Sequence, residues 1–384
     1  MRITEKTNCS GCYACVAICP NHCLQMSPDD EWFEYPNVDS DNCVHCNFCV
    51  GLCNNPPASE GRVPTHAYAA KAKSNEIRMA SSSGGIFTLL AQLTLRKGGV
   101  VYGAAIGTDA IIEHIRIIDE SEIIKLRGAK YVQSRMGNAY RQVESDLVEK
   151  RQVLFTGTPC QIGGLRNYLS AVKQSDETLL CQDLVCHGVA SYKSWRKYLD
   201  DMGFYGCVDA NFRDKSISWA DYSMRIVHNG RTYKRFSGHD AFAMAYKNDL
   251  MLRPACHRCR YRMMRYASDV TLADFWAVDD ILPDFADAAG VSLVLVHTLK
   301  GKEIIDDISP FMNSVAITLD DAVRSNVQAI TEGPKPHPQR KQFLAELKRK
   351  KMFRLSVKYV KGGWIRWSLR LFKRCIIGVI ALVR

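Results

Sequence analysis

The chain opens without an apolar stretch. Met1-Arg2-Ile3-Thr4-Glu5-Lys6-Thr7-Asn8 runs straight into cysteines, so nothing there reads as a secretory signal, and a cytoplasmic protein is expected. Long hydrophobic runs are missing as well: the closing stretch from Cys375 to Val383 is nine residues, against the roughly 20 that a membrane-spanning helix needs. No Gly-x-Gly-x-x-Gly occurs, which removes the Rossmann nicotinamide fingerprint. Excess positive charge is absent from most of the chain. From Arg340 to Arg384 there are fourteen Lys and Arg against one acid, Glu346, so of a net +11 this stretch carries +13 and the rest −2. The body is therefore not basic, and nucleic acid is not an expected partner.

Cysteine, by contrast, is abundant: sixteen in 384 residues, nine of them at or before Cys53. A reducing compartment favours metal ligation over disulfides for such a set. Cys9-x-x-Cys12-x-x-Cys15-x-x-x-Cys19-Pro20 is the ligand run of bacterial two-cluster ferredoxins, and it returns 34 residues later as Cys43, Cys46, Cys49 and Cys53. The fourth cysteine of each run serves the other cluster in such proteins. One 4Fe-4S cluster is thus expected on Cys9, Cys12, Cys15 and Cys53, and the other on Cys43, Cys46, Cys49 and Cys19. Structural zinc is the competing reading, but zinc modules pair separated Cys-x-x-Cys units rather than showing this triplet. Cys53 is followed by Asn54 where the usual pattern has proline, and Cys23 reads as a small core residue.

Asn54-Asn55-Pro56-Pro57 through Pro64 has linker composition. The expected organisation is a duplicated bacterial-ferredoxin-like domain over 1–60, a larger mixed-sheet α/β domain over 66–330, and a basic amphipathic helical tail over 339–384. In the second unit helical patterns (Gly85 to Arg96, Gln161 to Leu169) alternate with β-like runs (Val100 to Ile106, Val153 to Thr156, Leu179 to Val185). Asn229-Gly230 inside Ser223 to Arg235 signals a hairpin. Cys160, Cys186 and the pair Cys256-x-x-Cys259 could form a third metal site: the first two follow β-runs, and the pair sits among Arg253, His257, Arg258 and Arg260, a setting that favours thiolates. Cys181, Cys207 and Cys375 lack partners at ligand spacing and read as structural.

Several motifs occur together in order: Ser82-Ser83-Gly84-Gly85, Arg127 to Ser134, Gly157-Thr158-Pro159-Cys160-Gln161, Cys186-His187-Gly188, and Ser268 to Trp276. This set resembles the coenzyme F420 hydrogenase/dehydrogenase beta-subunit family over about residues 68 to 330. The resemblance implies an FAD-binding α/β domain with its own 4Fe-4S cluster on Cys160, Cys186, Cys256 and Cys259. It implies electron exchange between iron-sulfur carriers and a substrate such as a reduced deazaflavin. Carried over by motif, the flavin-site candidates are Ser82, Ser83, Gly84, Gly85, Lys130, Tyr131, Val132, Gln133, Ser134 and Thr158. Lys130 would offset the charge of a reduced flavin, against a solvated helix-end lysine as the bland alternative. His187 as a proton donor and Asp274 as an orienting carboxylate are weaker catalytic candidates.

The expected function is an iron-sulfur flavoprotein oxidoreductase working with a redox partner such as a ferredoxin or another oxidoreductase subunit. The competing reading is a non-catalytic electron-relay subunit; a colourless zinc-stapled binding module is the remoter one. Lys348 to Lys351 and Trp364 to Arg374 mix cations with large apolar residues, so an anionic membrane surface, on the inner face of the membrane, is a candidate partner for the tail, with a solvated or partner-docking helix as the alternative and nucleic acid behind both.

Overall fold

The structure is a computed structural model and describes residues 4–54, 62–206 and 208–360. In the N-terminal unit each cysteine run forms a loop that leads into a short helix, Ala14–Ile18 and Phe48–Asn54, and these two helices pack together. Between the runs a two-stranded antiparallel ribbon, β1 (Leu24–Pro28) and β2 (Glu34–Val38), buries Leu24 against Cys19 and Cys23. The backbone takes positive φ at Gly11 and Tyr13 and again at His45 and Asn47, 34 residues on.

The larger unit is built on an eight-stranded mixed sheet. Its strands are β3 (His66–Ala72), β4 (Val100–Ile106), β5 (Ile112–Ile117), β6 (Val153–Thr156) and β7 (Leu179–Leu184), with three more supplied from later in the chain. A second, three-stranded antiparallel sheet comprises β8 (Asp209–Asp214), β9 (Ser223–His228) and β10 (Arg231–Phe236). β11 (Val270–Asp274), β12 (Ser292–Val296) and β13 (Met312–Ile317) complete the large sheet in the order β13-β3-β12-β11-β7-β6-β4-β5. Neighbours from β4 through β6 and β7 to β11 run parallel, and the remaining pairs are antiparallel. Central strands that are covered on both faces are near-continuously apolar, as residues 293–296 are in β12, where every residue is buried and the one polar side chain, Ser292, is hydrogen-bonded. The Asn229-Gly230 turn has positive φ at both residues (48° and 73°), the geometry that lets a two-residue loop match strand twist.

The C-terminal stretch differs from the expectation. Helices Arg340–Leu347 and Met352–Tyr359 bury Phe343, Leu344, Leu347, Met352, Leu355 and Tyr359 in the same core as Trp195, Phe212 and Phe242. Apolar residues at helical spacing dock this half of the supposed tail, leaving Lys348 to Lys351 outside along with other polar residues of the two helices. Residues 361–384, including Trp364 to Arg374, lie outside the described residues, as do 55–61 of the linker and the cysteines Cys207 and Cys375. Cys181 is fully buried. Among the described residues no helix is long and apolar enough to cross a membrane.

Candidate functional site

The parallel strands β6, β7 and β11 end at one edge of the sheet, where α/β proteins place ligands. A cavity of about 840 Å³ opens there, within the usual range for a cofactor or substrate site. Two sets of cysteines line it: Cys9, Cys12, Cys15 and Cys53 from the N-terminal unit, and Cys160, Cys186, Cys256 and Cys259 from the larger one. A second, much smaller pocket of about 20 Å³ is lined by Cys19, Cys43, Cys46 and Cys49, together with Cys23, whose Sγ lies 3.3 Å from that of Cys19. The crossed grouping expected for two clusters is therefore also the grouping by pocket.

The loops suit anionic centres. Positive φ at alternate residues, Gly11 with Tyr13 and His45 with Asn47, curls successive amides into concavities of the kind found at iron-sulfur sites. Among the described residues no three His, Cys, Asp or Glu side chains converge on a point fit for one metal ion. In the larger unit, Cys160 sits in the first turn of the helix Pro159–Ala171. That helix starts with proline and a capping box in which Thr158 and Gln161 satisfy each other's backbone. Cys186 follows β7, and Cys256 lies within a tight turn, Pro254–Arg258, that Cys259 closes. Burial pushes these thiols up, Cys160 to about 12 and Cys256 to about 11, so the neighbouring arginines do not by themselves generate thiolates.

The remaining candidates surround the cavity. Ser82, Ser83, Gly85, Lys130, Tyr131, Val132, Gln133, Ser134 and Thr158 line it; Gly84 does not. Gly84 donates its amide to Ser292 Oγ (2.9 Å), and a Cβ there would lie 2.5 Å from Ala70 O, so its role is close packing. Ser82 Oγ accepts from the Ala129 amide (2.8 Å), tying the serine loop to the Lys130 segment. Lys130 is neither solvated nor free: Nζ donates to the carbonyls of Leu126 (3.0 Å), Arg127 (2.8 Å) and Gly128 (3.2 Å), and burial pulls it down to about 7. Ser134 is held in a relay. His114 Nε2 faces Thr156 O (2.9 Å), so it carries the proton and leaves Nδ1 to accept from Ser134 Oγ (3.0 Å). Gln161 Nε2 in turn donates to that hydroxyl (2.9 Å). Gln133, at the cavity wall, spends its Nε2 on Ser10 O and Gly11 O, both at 2.9 Å.

His187 Nε2 meets Asp249 Oδ1 at 2.7 Å, a partner the sequence did not disclose, and the ring packs edge-on against Tyr246. Asp274 pairs with Arg213 and accepts from Trp219 Nε1 (2.8 Å). Arg213 was missed at the sequence level: it lines the cavity between the rings of Tyr222 and Trp276, and its Nε and Nη2 are buried without a protein partner among the described residues. Stacked Tyr131 and Tyr246 (centroids 4.5 Å apart) form the adjoining wall.

Family models place these features. Residues 67–141 match the coenzyme F420 hydrogenase/dehydrogenase beta subunit N-terminal model, 150–319 the C-terminal model of the same subunit, and 8–55 a 4Fe-4S dicluster domain. No curated protein matches the chain. A solved chain of the F420-reducing [NiFe] hydrogenase complex from Methanosarcina barkeri is similar at 17% identity and a TM-score of 0.46, over 81% of this chain and 93% of that one. With N- and C-terminal models matched in order behind a dicluster domain, this chain belongs to the coenzyme F420 hydrogenase/dehydrogenase beta-subunit family and is an iron-sulfur redox protein.

Proposed function

We propose that the chain is an FAD-dependent iron-sulfur oxidoreductase. In this reading Cys9, Cys12, Cys15 and Cys53 hold one 4Fe-4S cluster, Cys19, Cys43, Cys46 and Cys49 a second, and Cys160, Cys186, Cys256 and Cys259 a third. The unit over 1–60 receives single electrons from a ferredoxin or another oxidoreductase subunit, and the unit over 66–330 holds the flavin and the third cluster. The observation that carries the reading is the single cavity onto which one N-terminal cysteine set, the second cysteine set and the motif residues Ser82 to Ser83, Lys130 to Ser134 and Thr158 all open. FAD there would supply the conversion between single electrons and electron pairs.

The chain's own residues then have definite tasks. Lys130, its N–H groups already bonded to three carbonyls, would act on a reduced ligand through charge rather than by donating a hydrogen bond, the ligand's negative charge offsetting the burial that lowers the lysine and so favouring the ammonium form. Arg213 presents unpartnered N–H groups to an anionic part of a ligand. His187, with Nε2–H directed at Asp249, keeps Nδ1 available to accept a proton. The test is anaerobic reduction of the full chain with dithionite, followed by absorbance and electron paramagnetic resonance. Reduction of the clusters followed by bleaching of a bound flavin supports the oxidoreductase reading. Cluster reduction with no flavin present leaves an electron-relay subunit.

A further inference from the structure

Arg253 is fully buried, although it belongs to the residue type least often found there. Its guanidinium reaches across 244 residues of sequence into the N-terminal unit. Nε donates to Cys9 O (2.7 Å), Nη2 to Glu34 O (2.9 Å) and towards Cys9 Sγ (3.6 Å), and Nη1 to Gln133 Oε1 (2.8 Å). The ring of Tyr35 covers it at 4.4 Å. A buried cation needs a negative partner, since an unpaired charge in the interior costs several kcal/mol. The nearby carboxylates are engaged elsewhere: Glu34 gives its own to Arg135, and Glu31 pairs with Arg340. Among the described residues, the one anion-forming atom that the Arg253 N–H groups reach is Cys9 Sγ.

We infer that Arg253 is the positioning and charge-tuning residue between the two cysteine sets that share the cavity. This rests on the cluster assignment proposed above. Arg253 opens the turn that carries Cys256, so one side chain ties the Cys9 loop to the Cys256 loop. Its positive charge lies nearest the centre ligated by Cys9. Adding one electron to that centre adds one negative charge, with no bond formed or broken, and a cation donating N–H to the ligand sulfur stabilises the added charge. Net charge and hydrogen bonds to sulfur are the levers by which a protein sets cluster potentials. Arg253 therefore makes the centre nearest the third cysteine set easier to reduce than it would otherwise be, and fixes the gap an electron crosses.

The experiment is an anaerobic redox titration of the full chain, with dithionite as the electron source and dye mediators, followed by electron paramagnetic resonance. R253Q keeps part of the hydrogen-bonding capacity and loses the charge. The expected result is a shift of one centre's midpoint to more negative potential, the others unmoved and iron content unchanged; the shifted signal is the one that Cys9→Ala abolishes. R253K keeps the charge but lacks the planar fork, so its midpoint moves less, while the amides of Cys9 to Ala14 exchange with solvent faster than in the parent. An iron-replete R253Q with every midpoint unchanged overturns the tuning role. R253K with unchanged amide exchange overturns the positioning role. Should Cys9→Ala retain all iron and every signal, the cluster assignment itself fails, and that outcome is distinct from the other two.

Discussion

Replacing Gly11 with alanine should loosen the contact between the N-terminal unit and the rest of the chain. Gly11 has φ +68°, a left-handed conformation that costs an L side chain about 1–2 kcal/mol. A Cβ at this position would also lie 2.5 Å from Gln133 Nε2 and 2.7 Å from Arg253 Nη1. Neither atom has room to retreat, because Gln133 is bonded to Ser10 O and Gly11 O and Arg253 is buried among four acceptors. Displacing one hydrogen bond of a charged group adds about 1.5–3 kcal/mol, for a total near 3–5 kcal/mol. Local opening of the Cys9 to Ala14 loop should then increase by about two to four powers of ten, since roughly 1.4 kcal/mol is a factor of ten. Amide hydrogen exchange of that loop reads the change directly. Gly98→Ala is the control: φ is +76° but nothing lies within 4 Å of the added carbon, so only the backbone cost of about 1–2 kcal/mol applies. Equal effects of the two substitutions would refute the argument from close approach.

Further outcomes can be checked separately. Cys160→Ala should remove about four irons per chain, one cluster's complement, with the N-terminal pair retained; unchanged iron would remove the third-cluster assignment. Phe343→Ala, at a fully buried position, should destabilise by about 3–5 kcal/mol, whereas Phe353→Ala, 43% exposed, should change the melting temperature little. Equal effects would mean that Arg340–Leu347 is not docked. Burial lowers His114 to about 4, below its unfolded value near 6.5, so the unfolded state takes up the proton first as pH falls. Its contribution is complete above pH ~6.5 and is lost on acidification towards about 4, amounting to about 2 kcal/mol by pH 5. His114→Asn should flatten that part of the stability profile measured by denaturant titration. Burial raises Asp183 to about 7, so its contribution is complete below the unfolded value near 4 and fades as pH climbs through 7. Asp183→Asn should abolish that decline over the same titration.

The parts legible from the sequence were those written locally. Spacing along the chain identified the cysteine runs, whereas the paired left-handed residues in each loop were not legible from it. Apolar runs located β4, β6 and β7, and Asn229-Gly230 located the hairpin, because these signals depend on neighbours along the chain. Long-range partners were not legible. Arg253 read as part of the setting of Cys256, three residues away, but its side chain is spent on Cys9 and Glu34 in the other unit. Gln133 and Lys130 read as ligand contacts from their motif, yet much of their hydrogen-bonding capacity goes to backbone carbonyls. In the stretch from 340 to 359, the density of cations hid an apolar stripe whose burial depends on a core assembled far away in sequence.

The reading stands or falls on three 4Fe-4S clusters per chain, two of them sharing one cavity with a flavin and the third in the smaller pocket. Anaerobic purification of the full chain, with iron, sulfide, zinc and released-flavin analysis, tests it most directly. About twelve irons, a matching amount of sulfide, no zinc and one FAD per chain are expected. About eight irons with no flavin would contradict it and leave a two-cluster relay, and zinc in place of iron would contradict it altogether.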